Sequence, residues 1–263
     1  AQKATAATVA VGTAAATGGA VALCNEEQIH TLTYDWSHNG ALSSHDHAAI
    51  RRGFQVYREV CSTCHSIQYL SFRNLVGVTH TEAEVKALAA EYDIEDGPND
   101  EGEMFDRPGR ASDRFPGPYK NEEAGRAANG GAYPPDLSLM AKARHNGVDY
   151  IMSLLTGYCE APVGKDMLEG LHYNPYFAGA AIAMPPPLMD GQVEYEDGTP
   201  ATATQMAKDV ATFLSWCAEP EHDERKRMGI KWCTAMALAV ALTMYYKRFR
   251  WSPVKTRKIS YTD

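Results

Sequence analysis

Two cysteines three positions apart with a histidine directly after the second, Cys61-Ser62-Thr63-Cys64-His65, constrain this chain more than any other feature. That spacing suits covalent attachment of one c-type haem: each thiol adds to a vinyl group, and the imidazole reaches the iron. A fold built on it must wrap a rigid, planar, largely apolar group. Zinc is a competing reading, because a Cys-x-x-Cys pair also fits two corners of a tetrahedron. Two further ligands at matching short spacing are then needed, and Cys24, Cys159, Cys217 and Cys233 are scattered singly. A thioredoxin-like dithiol leaves His65 unexplained and lacks a strand feeding a βαβ unit.

The formal net charge of -8 conceals an asymmetry. Ten of the 25 Lys and Arg fall after residue 224 together with one acid, Asp263, which leaves 15 basic and 32 acidic residues before that point. Between the acidic body and the basic tail, residues 228–246 carry one charge, Lys231, and at the helical rise they span about 28 Å. That nearly matches a hydrocarbon core of roughly 30 Å. A buried core helix is the alternative, against which stand the flanking Arg225, Lys226, Arg227, Lys247, Arg248 and Arg250, with Trp232, Tyr245, Tyr246 and Trp251 placed as interfacial aromatics. The basic residues, counted by the positive-inside rule, put the C-terminal tail on the synthesis side and the globular body across the membrane. Residues 4–25 are uncharged but mostly small, and they are expected to form a membrane-associated segment.

Periodicity supplies the helices. Ile50, Phe54, Tyr57 and Cys61 recur at steps of three and four, predicting a helix that delivers Cys61 to the haem edge. Gly53 lets another helix approach it, and residues 204–218, with Met206, Val210, Phe213, Leu214 and Cys217 on one face, are the expected visitor. His45 and His47 flank Asp46 and suggest a metal site, but near a helix start the favoured reading is solvated or capping groups. Residues 81–91 form an amphipathic helix with Val85 and Leu88 inward. An irregular acidic region follows, broken by Gly97, Pro98 and Gly102; it reads either as a solvated loop or as a docking face for a basic protein. Residues 121–126 resume a short helix. Pro134-Pro135-Asp136-Leu137-Ser138 then makes a rigid turn, with Asp136 or Ser138 as cap for a helix running on through 141–155. That helix brings Arg144 and Tyr150 onto adjacent turns, and an arginine there can meet a haem propionate.

Residues 157–202 are rich in Gly and Pro and read as a long ordered loop with a short hairpin near 193–195. Within it Met184 is followed by Pro185, Pro186 and Pro187, which fix the backbone and could hold a neutral thioether on iron. Histidine plus methionine ligation raises the reduction potential and closes the iron to small ligands. Cys159, Cys217 and Cys233 are expected to be free thiols.

Several of these motifs, read in order, resemble the mitochondrial cytochrome c1 family, the haem subunits of ubiquinol–cytochrome c reductase (respiratory complex III, the cytochrome bc1 complex). Besides the Cys61–His65 run they are Pro134-Pro135-Asp136-Leu137-Ser138, Ala143-Arg144-His145, Gly157-Tyr158-Cys159-Glu160, Asn174-Pro175-Tyr176-Phe177 and Asp197-Gly198-Thr199-Pro200-Ala201-Thr202. The resemblance extends to about Tyr261. It implies a mainly α fold: a class I cytochrome c-like haem domain with long loop insertions over residues 36–224, one C-terminal transmembrane helix within 225–250, a basic matrix-side tail over 251–263 and a small-residue segment over 1–35. It implies thioether links through Cys61 and Cys64, axial ligands His65 and Met184, a propionate partner in Arg144, and a pocket lined by Asn129, Pro134, Pro135, Tyr150 and Phe177. The implied partners are cytochrome b and the Rieske iron–sulfur protein within the complex, and soluble cytochrome c as electron acceptor; no nucleic-acid partner is expected. The implied place is the mitochondrial inner membrane with the haem domain in the intermembrane space. The chain would serve as the complex's electron-transfer subunit, with no independent catalytic chemistry. Two features depart from the family: the Ala/Thr-rich residues 1–24, and Tyr133 where an aliphatic residue is usual.

Overall fold

A computed structural model describes residues 29–260; the small-residue segment predicted over 1–24, with Cys24, lies outside them. The elements in order are α1 (His47–Glu59), a 3-10 turn (Cys61–Thr63), α2 (Glu82–Ala90), β1 (Asp93–Asp96), β2 (Phe105–Pro108), α3 (Glu122–Ala128), α4 (Met140–Ala143), α5 (Gly147–Thr156), β3 (His172–Tyr173), β4 (Ala181–Ile182), α6 (Ala203–Ala218) and α7 (His222–Thr256). The strands make two separate antiparallel pairs, β1 with β2 and β3 with β4. The fold is mainly helical, as expected.

Local chemistry starts these helices where the sequence placed them. The Asp46 side chain accepts from the Ala48 and Ala49 amides at the start of α1. Thr81 and Glu84 form a reciprocal capping box on α2, and Thr202 caps α6. The core is built where α1 crosses α6: Phe54 and Phe213 meet edge to face at 5.6 Å, and Phe115 carries the contact on to Phe72 at 4.1 Å. Ile50, Val56, Met206 and Val210 are fully buried in the same cluster.

Four expectations are corrected. The helix predicted through 141–155 is broken between α4 and α5. Asn146 there adopts a left-handed φ of 63°, which Asn tolerates better than most residues. Asp136 and Ser138 do not cap a helix, and instead accept hydrogen bonds from the segment after His65. No strand forms at 193–195: Val193 and Tyr195 are buried in the core, while the Glu194 carbonyl accepts from Gln55 and the Glu196 carboxylate from Arg51. The Gln55 side chain of α1 thus satisfies a backbone carbonyl that a partner strand would otherwise take. The acidic region, expected to be irregular, contains the β1–β2 hairpin, in which Arg107 pairs with both Asp96 and Asp113.

α7 runs unbroken for 35 residues, and its apolar stretch has no share buried in the molecule. A helix this long and apolar, with its large side chains facing outward, can cross a membrane.

Candidate functional site

α1 ends by handing the chain to a tight turn whose polar side chains bond backward. Ser62 Oγ donates to the Arg58 carbonyl (2.7 Å) and Thr63 Oγ1 to that of Val60 (2.8 Å), while the His65 amide closes on the Cys61 carbonyl (2.8 Å). These bonds leave both thiols and the imidazole facing one cavity. Tyr57, buried on α1, donates its hydroxyl to the His65 carbonyl (3.0 Å), so the backbone of that histidine is held as well.

The imidazole is oriented from the opposite wall. His65 Nδ1 lies 2.8 Å from the Pro135 carbonyl oxygen. A carbonyl can only accept, so Nδ1 carries the proton and the lone pair is on Nε2. Burial lowers the pKa of His65, with the Pro135 bond and Asp136 opposing, so the ring is neutral at pH 7. The Pro134-Pro135 turn is fixed in its turn by Asp136, whose Oδ2 accepts from Ser66 Oγ (2.7 Å) and the Gln68 amide (2.8 Å), and by the Leu137 amide on the Ser66 carbonyl (2.8 Å).

The far wall comes from the long Gly/Pro-rich region. Tyr158 donates its hydroxyl to the Met184 carbonyl (3.0 Å), which with the prolines that follow pins the methionine backbone at the cavity. Asn174, fully buried, donates to the Leu154 carbonyl (2.8 Å) and accepts from the Tyr176 amide (3.1 Å), tying the loop that carries Phe177 to α5. Asn129 is held by its amide on the Tyr119 hydroxyl (2.9 Å) and the Gly125 carbonyl (2.7 Å).

The cavity measures about 440 Å³, within the range of cofactor sites. Cys61, Cys64, His65, Asn129, Pro134, Pro135, Arg144, Tyr150, Phe177 and Met184 all line it. Aliphatic side chains of α5 and α6, among them Ile151, Leu154, Val210 and Leu214, make its floor. Arg144 is the one arginine or lysine among the described lining residues, and it reaches the Tyr150 hydroxyl. Tyr133, too, lines the cavity, with its ring stacked under the Arg126 guanidinium and packed where a Gly125 Cβ would stand.

This lining bears on the readings of the thiol pair. Zinc needs two ligands beyond the cysteines, and the described lining offers one imidazole, no carboxylate and no third thiol. A redox dithiol needs a depressed thiol pKa, whereas burial and the neighbouring Cys64 push Cys61 up to about 12. A large flat apolar group with two thiol anchors, one neutral imidazole and one thioether fits every donor present.

Sequence reasoning missed Tyr158, Asn174 and Tyr119 as supports, because each acts on a partner distant in the chain and no spacing announces it. It also misjudged His45, which is buried rather than solvated.

Comparison with known proteins agrees. The model of the Cytochrome C1 family matches residues 36–254. The chain is 59% identical over 254 residues to "Cytochrome c1-2, heme protein, mitochondrial" of Solanum tuberosum, covering 95% of this chain and 98% of that one. It is 57% identical over 237 residues to "Cytochrome b-c1 complex catalytic subunit, mitochondrial" of Candida albicans (90% and 82%) and 57% identical over 234 residues to "Cytochrome c1, heme protein, mitochondrial" of Saccharomyces cerevisiae (89% and 76%). The chain that folds around this cavity belongs to the cytochrome c1 family.

Proposed function

We propose that this chain is a membrane-anchored electron carrier holding one covalent c-type haem in the cavity described above. Cys61 and Cys64 would hold it through thioether links, His65 Nε2 and the Met184 thioether would ligate its iron, and Arg144 would be the charge partner of a propionate. The observation that carries this reading is the His65 Nδ1 contact with the Pro135 carbonyl, which leaves a neutral ring with its Nε2 lone pair in the cavity that also holds both thiols and Met184. When bound, the haem supplies one-electron cycling between ferrous and ferric iron. The protein's own part is to hold His65 in one tautomer, keep the Met184 backbone in place through Tyr158, and exclude water with the aliphatic floor.

The relatives' names speak of a mitochondrial heme protein and of the cytochrome b-c1 complex, and the same setting is proposed here. The electron would arrive from the Rieske iron–sulfur protein, with cytochrome b as a neighbour in the complex, and leave to soluble cytochrome c. α7 would anchor the chain in the mitochondrial inner membrane, with its Lys- and Arg-rich C-terminal end in the matrix and the haem domain in the intermembrane space. An acidic body facing that space suits a basic acceptor, and the rate of transfer to it should fall as salt rises.

A redox-poised optical spectrum of the purified protein, with a pyridine haemochrome assay and carbon monoxide added to the reduced form, tests the reading. A c-type signature, low-spin when reduced and unmoved by carbon monoxide, is expected. Ready carbon monoxide binding would mean an open iron and would favour peroxidase-like chemistry; absence of a haemochrome would overturn the assignment.

A further inference from the structure

Away from the haem cavity, three imidazoles meet where the loop before α1, the end of α6 and the start of α7 converge. His38 and His45 stack with centroids 4.3 Å apart, and His222 stands edge-on to His45 at 4.5 Å. All three residues are buried. The Asp223 carboxylate closes the group: Oδ1 lies 3.3 Å from His45 Nδ1 and 2.9 Å from His222 Nδ1, and Oδ2 lies 3.4 Å from Nε2 of the half-exposed His47.

A packing role alone accounts poorly for this arrangement. Three imidazoles carry little apolar drive, and His38 Nδ1 is buried with no hydrogen-bond partner, a cost that an aliphatic side chain would avoid. One ligand atom from each of His45, His222 and Asp223 lies within 4.8 Å of the other two. A tetrahedral zinc ion with bonds of 2.0–2.2 Å sets its ligand atoms about 3.3 Å apart. The two separations to Asp223 Oδ1, 3.3 and 2.9 Å, lie within a few tenths of an ångström of that spacing. The Lys226 ammonium is engaged by the carbonyls of His38, Gly40 and Ser43.

We propose that His45, His222 and Asp223 form a binding site for a divalent ion of the zinc class at the junction between the haem domain and the membrane helix, the remaining position going to water or to His47. Imidazole and carboxylate are the donors such an ion prefers. Binding through Nδ1 moves each ring's proton to Nε2. For His45 that proton is received by Ser215 Oγ, 3.3 Å away, and Ser215 donates onward to His38 Nε2 at 3.1 Å. The hydroxyl then orients the ligand ring, the part an outer partner of a metal site plays. The ion would clamp the first turn of α7 to the loop before α1, and so set the angle at which the haem domain stands on its anchor.

The test uses the full chain as purified, haem in place and free thiols alkylated, stripped with chelator and titrated with Co²⁺ and then Zn²⁺. One equivalent of cobalt with tetrahedral visible bands, displaced by zinc, is expected, and X-ray absorption of the zinc form should show two imidazoles, or three where His47 joins, with oxygen and no sulfur. His45→Leu and Asp223→Asn should each weaken zinc binding at least tenfold with the haem spectrum unchanged; Ser215→Ala, which keeps every ligand, should weaken it about tenfold. Failure of the wild type to take up one equivalent, a sulfur or single-imidazole shell, or variants that bind as the wild type does would each overturn the site.

Discussion

Gly53 and Asp209 are in direct backbone contact across α1 and α6: a Cβ at position 53 would stand 2.1 Å from the Asp209 carbonyl oxygen and 2.7 Å from the Phe213 Cβ. Two effects oppose each other in Gly53→Ala. Helix propensity favours alanine by about 1 kcal/mol, while forcing two backbones apart in a packed core costs about 1–3 kcal/mol or more. The obstacle is backbone rather than a flexible side-chain end, so the clash wins. Net destabilisation of about 1–2 kcal/mol is expected in denaturant titration of the full chain in detergent; unchanged or raised stability would mean the helices can slide apart freely.

Arg52, one residue earlier, reaches the same turn of α6. Its guanidinium forks onto Asp209 (Nε to Oδ2 2.9 Å, Nη2 to Oδ1 3.2 Å) and extends to Asp197 (2.8 Å). The Asp209 side chain is fully buried. Removing the arginine leaves a buried carboxylate with neutral donors such as Gln205 and no counter-charge from α1, so Arg52→Ala should cost about 3–5 kcal/mol. Arg52→Lys should recover only part, lacking the planar fork. A loss under about 1 kcal/mol for the alanine variant would show that Asp209 finds water instead.

The histidine cluster makes stability depend on pH in a definite direction. His38 is depressed from 6.5 to about 4 by burial, then by His45, His222 and Lys226, against the pull of Asp223; His45 is lowered as well. Asp223 is held down at about 2: burial would raise it, but hydrogen bonds from His222 and from His45 outweigh that. Between pH 6.5 and 4 the unfolded chain binds protons at these rings that the folded chain refuses, so stability is full above about pH 6.5 and declines as pH falls toward 4. For His38 alone the loss is on the order of 3 kcal/mol. Chelator-treated protein melted across this range should show the slope, and His38→Gln should flatten it; an unchanged slope would place the protons elsewhere.

How much of this was legible in the sequence depended on whether the signal was local. Asp46, Thr81 and Thr202 cap helices within three residues of themselves, and periodicity placed α1, α2 and α6. Cys61, Cys64 and His65 were singled out by spacing alone, and the structure brings them to one cavity. What stayed hidden was decided at long range. The break between α4 and α5 rests on a left-handed Asn146, which periodicity does not register. The β1–β2 hairpin has no apolar face, so alternation could not reveal it. His45 looked like a flanking polar residue because its partners, Ser215 and Asp223, come from the far end of the chain. Met184 stood out through the prolines beside it, while Tyr158, which holds its carbonyl, carried no mark.

Met184 gives the sharpest test of the electron-carrier reading. Its backbone is pinned by Tyr158 and by three prolines, none of which depends on the thioether, so Met184→Ala should fold and keep haem attached through Cys61 and Cys64. Loss of a thioether that favours the ferrous state lowers the potential, by more than about 0.1 V of the roughly 0.8 V that axial ligands span. Carbon monoxide should then bind the reduced form. Tyr158→Phe, which frees the Met184 carbonyl but leaves the sulfur, should shift the potential less and keep carbon monoxide out. Potentiometric titration of both variants separates the roles: a Met184→Ala protein with wild-type potential and a closed iron would remove the methionine from the metal and require another ligand from the same wall.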